Sequence, residues 1–250
     1  MEPQRCTDRI SFGEVASWRV PGPLGPVVCV HGAGVSTRQT MPLLRRLSGR
    51  VEAWGVDLPG YGKSTSPGGF LAVPELADAL LEWTRAREMD RPCLLGVSMG
   101  SQVVAEAAAL APDDVGSVVL AAPTTDPRGR AWPLLGARLI WNNMLEGADV
   151  LSYSVPDYWD AGAGRVLRSW AQSRKHRLER VLPDVSQPAL VVWGSQDKVC
   201  SQAWVEEATR LLPRGRLVVL PGQYHALSST GPRQLADAVQ DFVGEREEAS

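Results

Sequence analysis

A serine hydroxyl becomes a useful nucleophile only where the chain presents it openly and a base can take its proton. The stretch Gly96-Val97-Ser98-Met99-Gly100 meets the first condition. It follows the apolar run Cys93–Leu95 and precedes the Ala-rich helical pattern Met99–Leu110. Small residues on both sides let the chain turn sharply from strand to helix and lift Ser98 out of the turn. The chemistry expected there is acyl transfer, with the Met99 N–H at the helix start stabilising an oxyanion. The strand and helix on either side make this more than a serine in a turn.

The base must come from three histidines. His225 lies in Pro221-Gly222-Gln223-Tyr224-His225, just beyond an apolar run, and loops after parallel strands are where such sheets build their sites. His225 is therefore expected to be the base. His176 stands in Arg174-Lys175-His176-Arg177 and is expected on a solvated helix face. His31 opens His31-Gly32-Ala33-Gly34, a glycine-rich turn whose Ala33 N–H offers a second oxyanion donor. An orienting carboxylate must hold the base and stabilise its imidazolium. Asp197, in Trp193-Gly194-Ser195-Gln196-Asp197, is the favoured acid, with Asp126 as its competitor. If Asp126 is not the acid, it is expected to cap the chain where it leaves the strand ending near Ala122.

These residues need a frame. Short apolar runs at Pro26–Val30, Val51–Asp57, Pro92–Val97, Val115–Ala122, Ala189–Gly194 and Arg216–Leu220 predict strands. Ile10–Val20 predicts one or two edge strands or a hairpin. Helices are expected over Thr40–Leu47, Pro74–Glu88, Met99–Leu110 and Gln202–Leu212. This alternation is that of a parallel sheet covered on both faces. From Pro123 to Pro188 only helical patterns occur, so residues 123–187 are expected to form a helical lid over the strand ends. Residues 1–122 and 188–250 then form the core, with Glu245–Ser250 as a frayed tail.

The lid carries what substrate information the sequence holds. Trp132, Trp141, Met144, Tyr153 and Trp159 are candidates to line an apolar pocket above Ser98. The basic run Arg165, Arg168, Arg174, Lys175, Arg177 and Arg180 is expected to be a solvated helix face, with an acidic carrier protein as the minority reading.

Composition excludes several alternatives. A formal net charge of -2 gives no reason to expect nucleic acid or an anionic membrane as partner, which leaves a small molecule as the substrate. The four cysteines form no CxxC pair, and no His, Cys and carboxylate cluster has metal-ligand spacing. No metal or organic cofactor is expected. No apolar run approaches membrane-spanning length and the N-terminus lacks a signal peptide's apolar segment, so a soluble cytoplasmic protein is expected. Gly60-Tyr61-Gly62-Lys63-Ser64 ends like a phosphate-binding loop, but Asp57 stands where that pattern needs its first glycine.

Taken together, these motifs resemble the α/β-hydrolase superfamily over nearly the whole chain. The matching stretches are His31-Gly32-Ala33-Gly34, Asp57-Leu58-Pro59-Gly60-Tyr61-Gly62-Lys63-Ser64 and Gly96-Val97-Ser98-Met99-Gly100, with Asp197 and His225 completing the Ser…Asp…His order. The resemblance implies a mostly parallel eight-stranded sheet with helices on both faces, a helical cap after the sixth strand, and Ala33 and Met99 as oxyanion donors. Ser98 stands where family epoxide hydrolases and haloalkane dehalogenases carry Asp, which argues against both. An ester or lactone of small to medium, largely apolar character is the expected substrate. Thioesters, carbon–carbon bonds, and a ligand-sensing module with vestigial catalysis stay as alternatives on the same frame.

Overall fold

A computed structural model of the protein describes residues 2–131, 138, 141, 142 and 144–248. Its centre is an eight-stranded sheet in the order β1-β2-β4-β3-β5-β6-β7-β8. β1 (Gln4–Ile10) and β2 (Gly13–Val20) form an antiparallel hairpin. The hairpin thus begins six residues before the expected Ile10. QRCTDRI shows its outer edge to water, and its polar residues give no apolar run to find. β2 pairs antiparallel with β4 (Val51–Val56), and all further pairings are parallel. They involve β3 (Leu24–Val30), β5 (Cys93–Val97), β6 (Ser117–Ala121), β7 (Ala189–Gly194) and β8 (Gly215–Leu220).

Every residue of β5, β6 and β7 is buried, which is why these strands are continuous apolar runs rather than alternating ones. The covering helices include α1 (Met41–Leu47), α2 (Val73–Ala86) and α3 (Met99–Leu110). α2 opens with Pro74 in its first turn and buries Leu76, Leu80, Leu81 and Trp83 on one face.

Between β6 and β7 come α4 (Ala148–Ala161), α5 (Ala163–Lys175) and the single turn α6 (Leu178–Val181), with no strand among the described residues. The end of this interval differs in kind from the rest: Leu178, Leu182 and Val185 are buried in the same core cluster as the sheet. A parallel strand pair needs a return path along the sheet, and this segment supplies it. The excursion proper is stapled shut at its base. Gln102 of α3 donates from Nε2 to Thr124 O (2.9 Å) and Ser173 O (2.8 Å), and Thr125 Oγ1 donates to Ser173 O (3.0 Å).

The chain finishes with α7 (Gln202–Leu211), the short α8 (Leu227–Thr230) and α9 (Pro232–Glu248). α9 is not among the helices expected above, although its buried Leu235, Ala236, Val239, Phe242 and Val243 have helical spacing. It carries Glu245–Glu248, so most of the expected frayed tail is helical.

Candidate active site

The turn after β5 holds Ser98 at φ 56° and ψ −117°, a conformation that L-residues rarely adopt. Its neighbours make this possible. A Cβ on Gly96 would sit 2.3 Å from Gly100 backbone atoms, and one on Gly100 would sit 2.4 Å from Val30 O. Strand, turn and helix therefore approach so closely that only glycine fits at either place. Met99, the first residue of α3, has an N–H with no carbonyl partner inside the helix.

His225 follows β8 on the loop before α8, and Asp197 follows β7. The three side chains form one hydrogen-bonded chain: Ser98 Oγ lies 3.0 Å from His225 Nε2, and His225 Nδ1 lies 2.8 Å from Asp197 Oδ2. A carboxylate only accepts, so Nδ1 carries the proton and Nε2 is left to accept from Ser98. The remaining oxygen of Asp197 is fixed as well, accepting from Val199 N (2.7 Å) and Cys200 N (3.0 Å). Burial alone would weaken proton binding at His225. Asp197, by its charge and its hydrogen bond, and then Glu146 outweigh that and raise the pKa above the ordinary histidine value.

Asp126 faces away from this chain. It caps a 3-10 turn by accepting from Arg128 N (2.9 Å), and it accepts from Ser201 Oγ (2.7 Å). His176 departs from expectation: it is half-buried, with Nε2 2.7 Å from Glu106 Oε1. Arg165 also leaves the expected solvated face, with its guanidinium 6.0 Å from the Tyr61 ring centroid. His31 is wholly buried. Its Nδ1 pairs with Gly32 O (2.9 Å) and its Nε2 accepts from Leu58 N (3.2 Å), and burial lowers its pKa. The Gly60–Ser64 stretch wraps around Asp57, which accepts from Lys63 N and Thr37 N, both at 2.7 Å. This is the internal role of a turn.

Several positioning residues carry no sequence motif. Gln39 Oε1 accepts from Gly32 N (2.7 Å), which occupies that amide, and the next residue, Ala33, lines the cavity. Trp193 Nε1 donates to Cys200 O (3.0 Å) and Trp204 Nε1 to Pro123 O (2.7 Å), tying down the loops around Asp197. Asp157 of α4 accepts from Ser36 N (2.8 Å) and from Arg38 (2.6 Å), which fastens the helical interval to the loop after β3.

A cavity opens above Ser98 and His225. Ala33, Val35, Val150, Tyr153, Tyr158 and Trp170 supply much of its apolar wall. Of the expected lining residues, Tyr153 is buried here, while Trp132 lies outside the described residues. Trp141, Met144 and Trp159 are 63%, 79% and 88% exposed and do not line the cavity. They stand on the outward side of the helical interval, where Trp159 joins Val155 and Leu167 along a surface groove. Tyr158 and Trp170 sit between groove and cavity, edge to face at 6.0 Å. A helical pattern rich in apolar residues on two sides does not tell which side turns inward.

Asp197, Cys200 and His225 are the one group among the described residues that could hold a metal ion, their ligand atoms lying within 4.8 Å of one another. The Cys200 thiol is pushed well above its usual pKa by burial and then by Asp197, and it donates to Pro123 O. A metal there would have to displace that proton and the Asp197–His225 bond.

The chain is similar to known proteins over most of its length. The model of the alpha/beta hydrolase family matches residues 27–238. The chain belongs to that family. It is 28% identical over 247 residues to 2-(acetamidomethylene)succinate hydrolase of Mesorhizobium japonicum, covering 89% of this chain and 88% of the relative. It is 26% identical over 246 residues to the pimeloyl-[acyl-carrier protein] methyl ester esterase of Xanthomonas oryzae pv. oryzae, covering 88% and 95%. The structure of a thermophilic esterase superposes with a TM-score of 0.81 at 18% identity, over 98% of each chain, a likeness of fold. This alpha/beta hydrolase is thus similar to enzymes named for hydrolytic reactions. No helix among its described residues is long and apolar enough to cross a membrane.

Proposed function

We propose that this alpha/beta hydrolase cleaves a carboxylic ester or lactone of small to medium, largely apolar character through an acyl-enzyme on Ser98. The observation that carries the reading is the Asp197–His225–Ser98 hydrogen-bond chain, with links of 2.8 and 3.0 Å, on the floor of an apolar-walled cavity. His225 takes the Ser98 proton as Oγ attacks the carbonyl carbon, and the oxyanion forms against the Ala33 and Met99 amides. Asp197 holds the imidazole in the productive tautomer and stabilises its cation. The leaving group departs with the proton from His225. Water, deprotonated by the same residue, then releases the acid and restores Ser98. The residues act without a metal or organic cofactor.

The helical interval serves as a lid, fastened by Asp157 and by Tyr61 Oη, 2.7 Å from Ser169 Oγ. The similarity to a methyl ester esterase supports the ester class. The fully assembled triad favours an enzyme over a sensing module. The test is labelling with a serine-reactive aryl phosphonate, followed by peptide mapping and turnover of p-nitrophenyl butyrate. Label on Ser98, with hydrolysis abolished in Ser98→Ala, is the expected result. Undiminished turnover by a folded Ser98→Ala protein would overturn the proposal.

A further inference from the structure

We propose that Glu146, a buried acid in the wall of the cavity, makes the site charge-selective: it accepts neutral and cationic acyl groups and rejects anionic ones. The inference rests on the ester-hydrolase reading of the same site and specifies the class of substrate.

Glu146 lies just before α4 in the helical interval, is 8% exposed, and lines the cavity together with Ser98 and His225. Its Oε1 accepts from Ala226 N at 2.5 Å, so the carboxylate is held beside the proposed base and cannot swing out to water without losing that bond. No lysine or arginine lines the cavity among the described residues. The undescribed residues 132–137, 139, 140 and 143 include neither type in the sequence. The nearby cations are engaged elsewhere: Arg38 with Asp157 and Asp160, and Arg138 with Asp126. Lys198 is exposed.

At a pH above the Glu146 pKa, which burial raises, an acyl group entering this space therefore meets a negative charge with no lysine or arginine beside it among the described lining residues. In a partly desolvated site, a second negative charge within roughly 6–10 Å is disfavoured by on the order of 10- to 100-fold in binding, at an effective dielectric constant near 20. A cation gains by the same interaction, less the cost of its own desolvation. A tether for Ala226 would need only an acceptor oxygen, and the Gln side chain keeps one. Glu146→Gln therefore separates charge selection from tethering.

The experiment uses p-nitrophenyl esters in matched pairs. The cation 4-(trimethylammonio)butyrate is paired with its neutral isostere 5,5-dimethylhexanoate, and the glutarate monoanion with 4-nitrobutyrate. In the wild-type protein, kcat/KM for the cation should equal or exceed that of its isostere, and the anion should fall at least about 10-fold below its partner. In Glu146→Gln both ratios should move toward one, the anion's penalty shrinking most. Equal rates for the anionic pair in the wild type, or ratios unchanged by Glu146→Gln in a folded protein, would overturn the proposal. Calorimetric binding of the corresponding non-hydrolysable amides to Ser98→Ala reads the same ratios without catalysis. If the esters are not turned over, the ester-hydrolase reading fails, and the amide ratios still support or refute the charge selection.

Discussion

Replacing Asp197 by Asn changes one atom type and leaves the volume almost untouched, yet the local hydrogen bonds dictate a large effect. Oδ1 accepts from Val199 N and Cys200 N, and two N–H donors cannot face an amide NH2. The Asn oxygen must take that place, which turns its NH2 toward His225 Nδ1, where Oδ2 now accepts over 2.8 Å. An NH2 there donates, so Nδ1 must lose its proton and Nε2 must gain one. The imidazole then presents a donor to Ser98 Oγ in place of an acceptor, and the proposed base is occupied. The same tautomer inversion in serine proteases lowers kcat about 10⁴-fold, or roughly 5 kcal/mol of barrier. The assay is steady-state hydrolysis of p-nitrophenyl butyrate at pH 8, with thermal unfolding measured in parallel. Asp126→Asn is the control, because Asp126 contacts Ser201 and Arg128 N rather than the histidine. An Asp197→Asn protein within tenfold of wild type, or an Asp126→Asn protein losing more activity than it, would refute the reasoning.

The pH profile follows from His225. Burial lowers its pKa, but Asp197 and then Glu146 bring it net above the ordinary value, and only the neutral form can act as base. Activity is therefore full above that raised pKa and falls as pH drops through it; Glu146→Gln should move the acid limb of kcat/KM to lower pH, and an upward move would contradict the assignment. Chain-length selectivity should depend on Trp170 rather than Trp159, since only Trp170 borders the cavity. Each methylene buried is worth up to about 0.8 kcal/mol, roughly fourfold in kcat/KM, and Trp170→Ala should flatten that rise along an acetate-to-octanoate series while Trp159→Ala leaves it. Prolonged chelator treatment should leave turnover unchanged; loss restored by a divalent ion would assign a metal to the Asp197, Cys200 and His225 group. Ser98→Gly should raise the melting temperature as it abolishes hydrolysis, because glycine adopts φ 56° without the cost, of order 1 kcal/mol or more, that serine bears. An unchanged or lower value would mean the turn is unstrained.

The parts of this molecule legible in the sequence are those whose cause is local. A glycine pair around Ser98, an apolar run before it and a helical pattern after it are all contained within a few residues. Asp197 could be placed because it lies just past β7, whose burial on both faces is written as an unbroken apolar run, and His225 because it follows the short apolar run Leu217–Leu220 of the edge strand β8. β1 was hidden because an edge strand owes its place to one neighbour, and Gln4–Ile10 shows little apolar pattern. Gln39, Trp193, Trp204 and Glu146 escaped for another reason. Their partners lie 7 to 81 residues away in sequence and are brought to them only by folding, as with Glu146 and Ala226, separated by 80. The lid aromatics show the same limit, since Trp141 and Trp159 turn outward and Trp170 turns in, and composition treats all three alike.

The staple at Gln102 has a consequence for how such a protein can diversify. The excursion leaves the sheet at Thr124 and Thr125 and returns at Ser173, with both ends held by one side chain on α3. Once the ends are pinned, the length and content of the chain between them become nearly free variables; doubling a flexible loop adds only about 0.6 kcal/mol of closure entropy. Ser98, Asp197 and His225 all lie outside the staple, whereas Glu146, Tyr153, Tyr158 and Trp170 lie inside it. Insertions, deletions or grafting within this segment can therefore rewrite what the cavity accepts, provided the contacts that reach the triad loops, such as Glu146 with Ala226 N, are kept. On the proposed mechanism, the segment that meets the substrate is thus the replaceable part of the molecule, and the frame holding Ser98, Asp197 and His225 the fixed one.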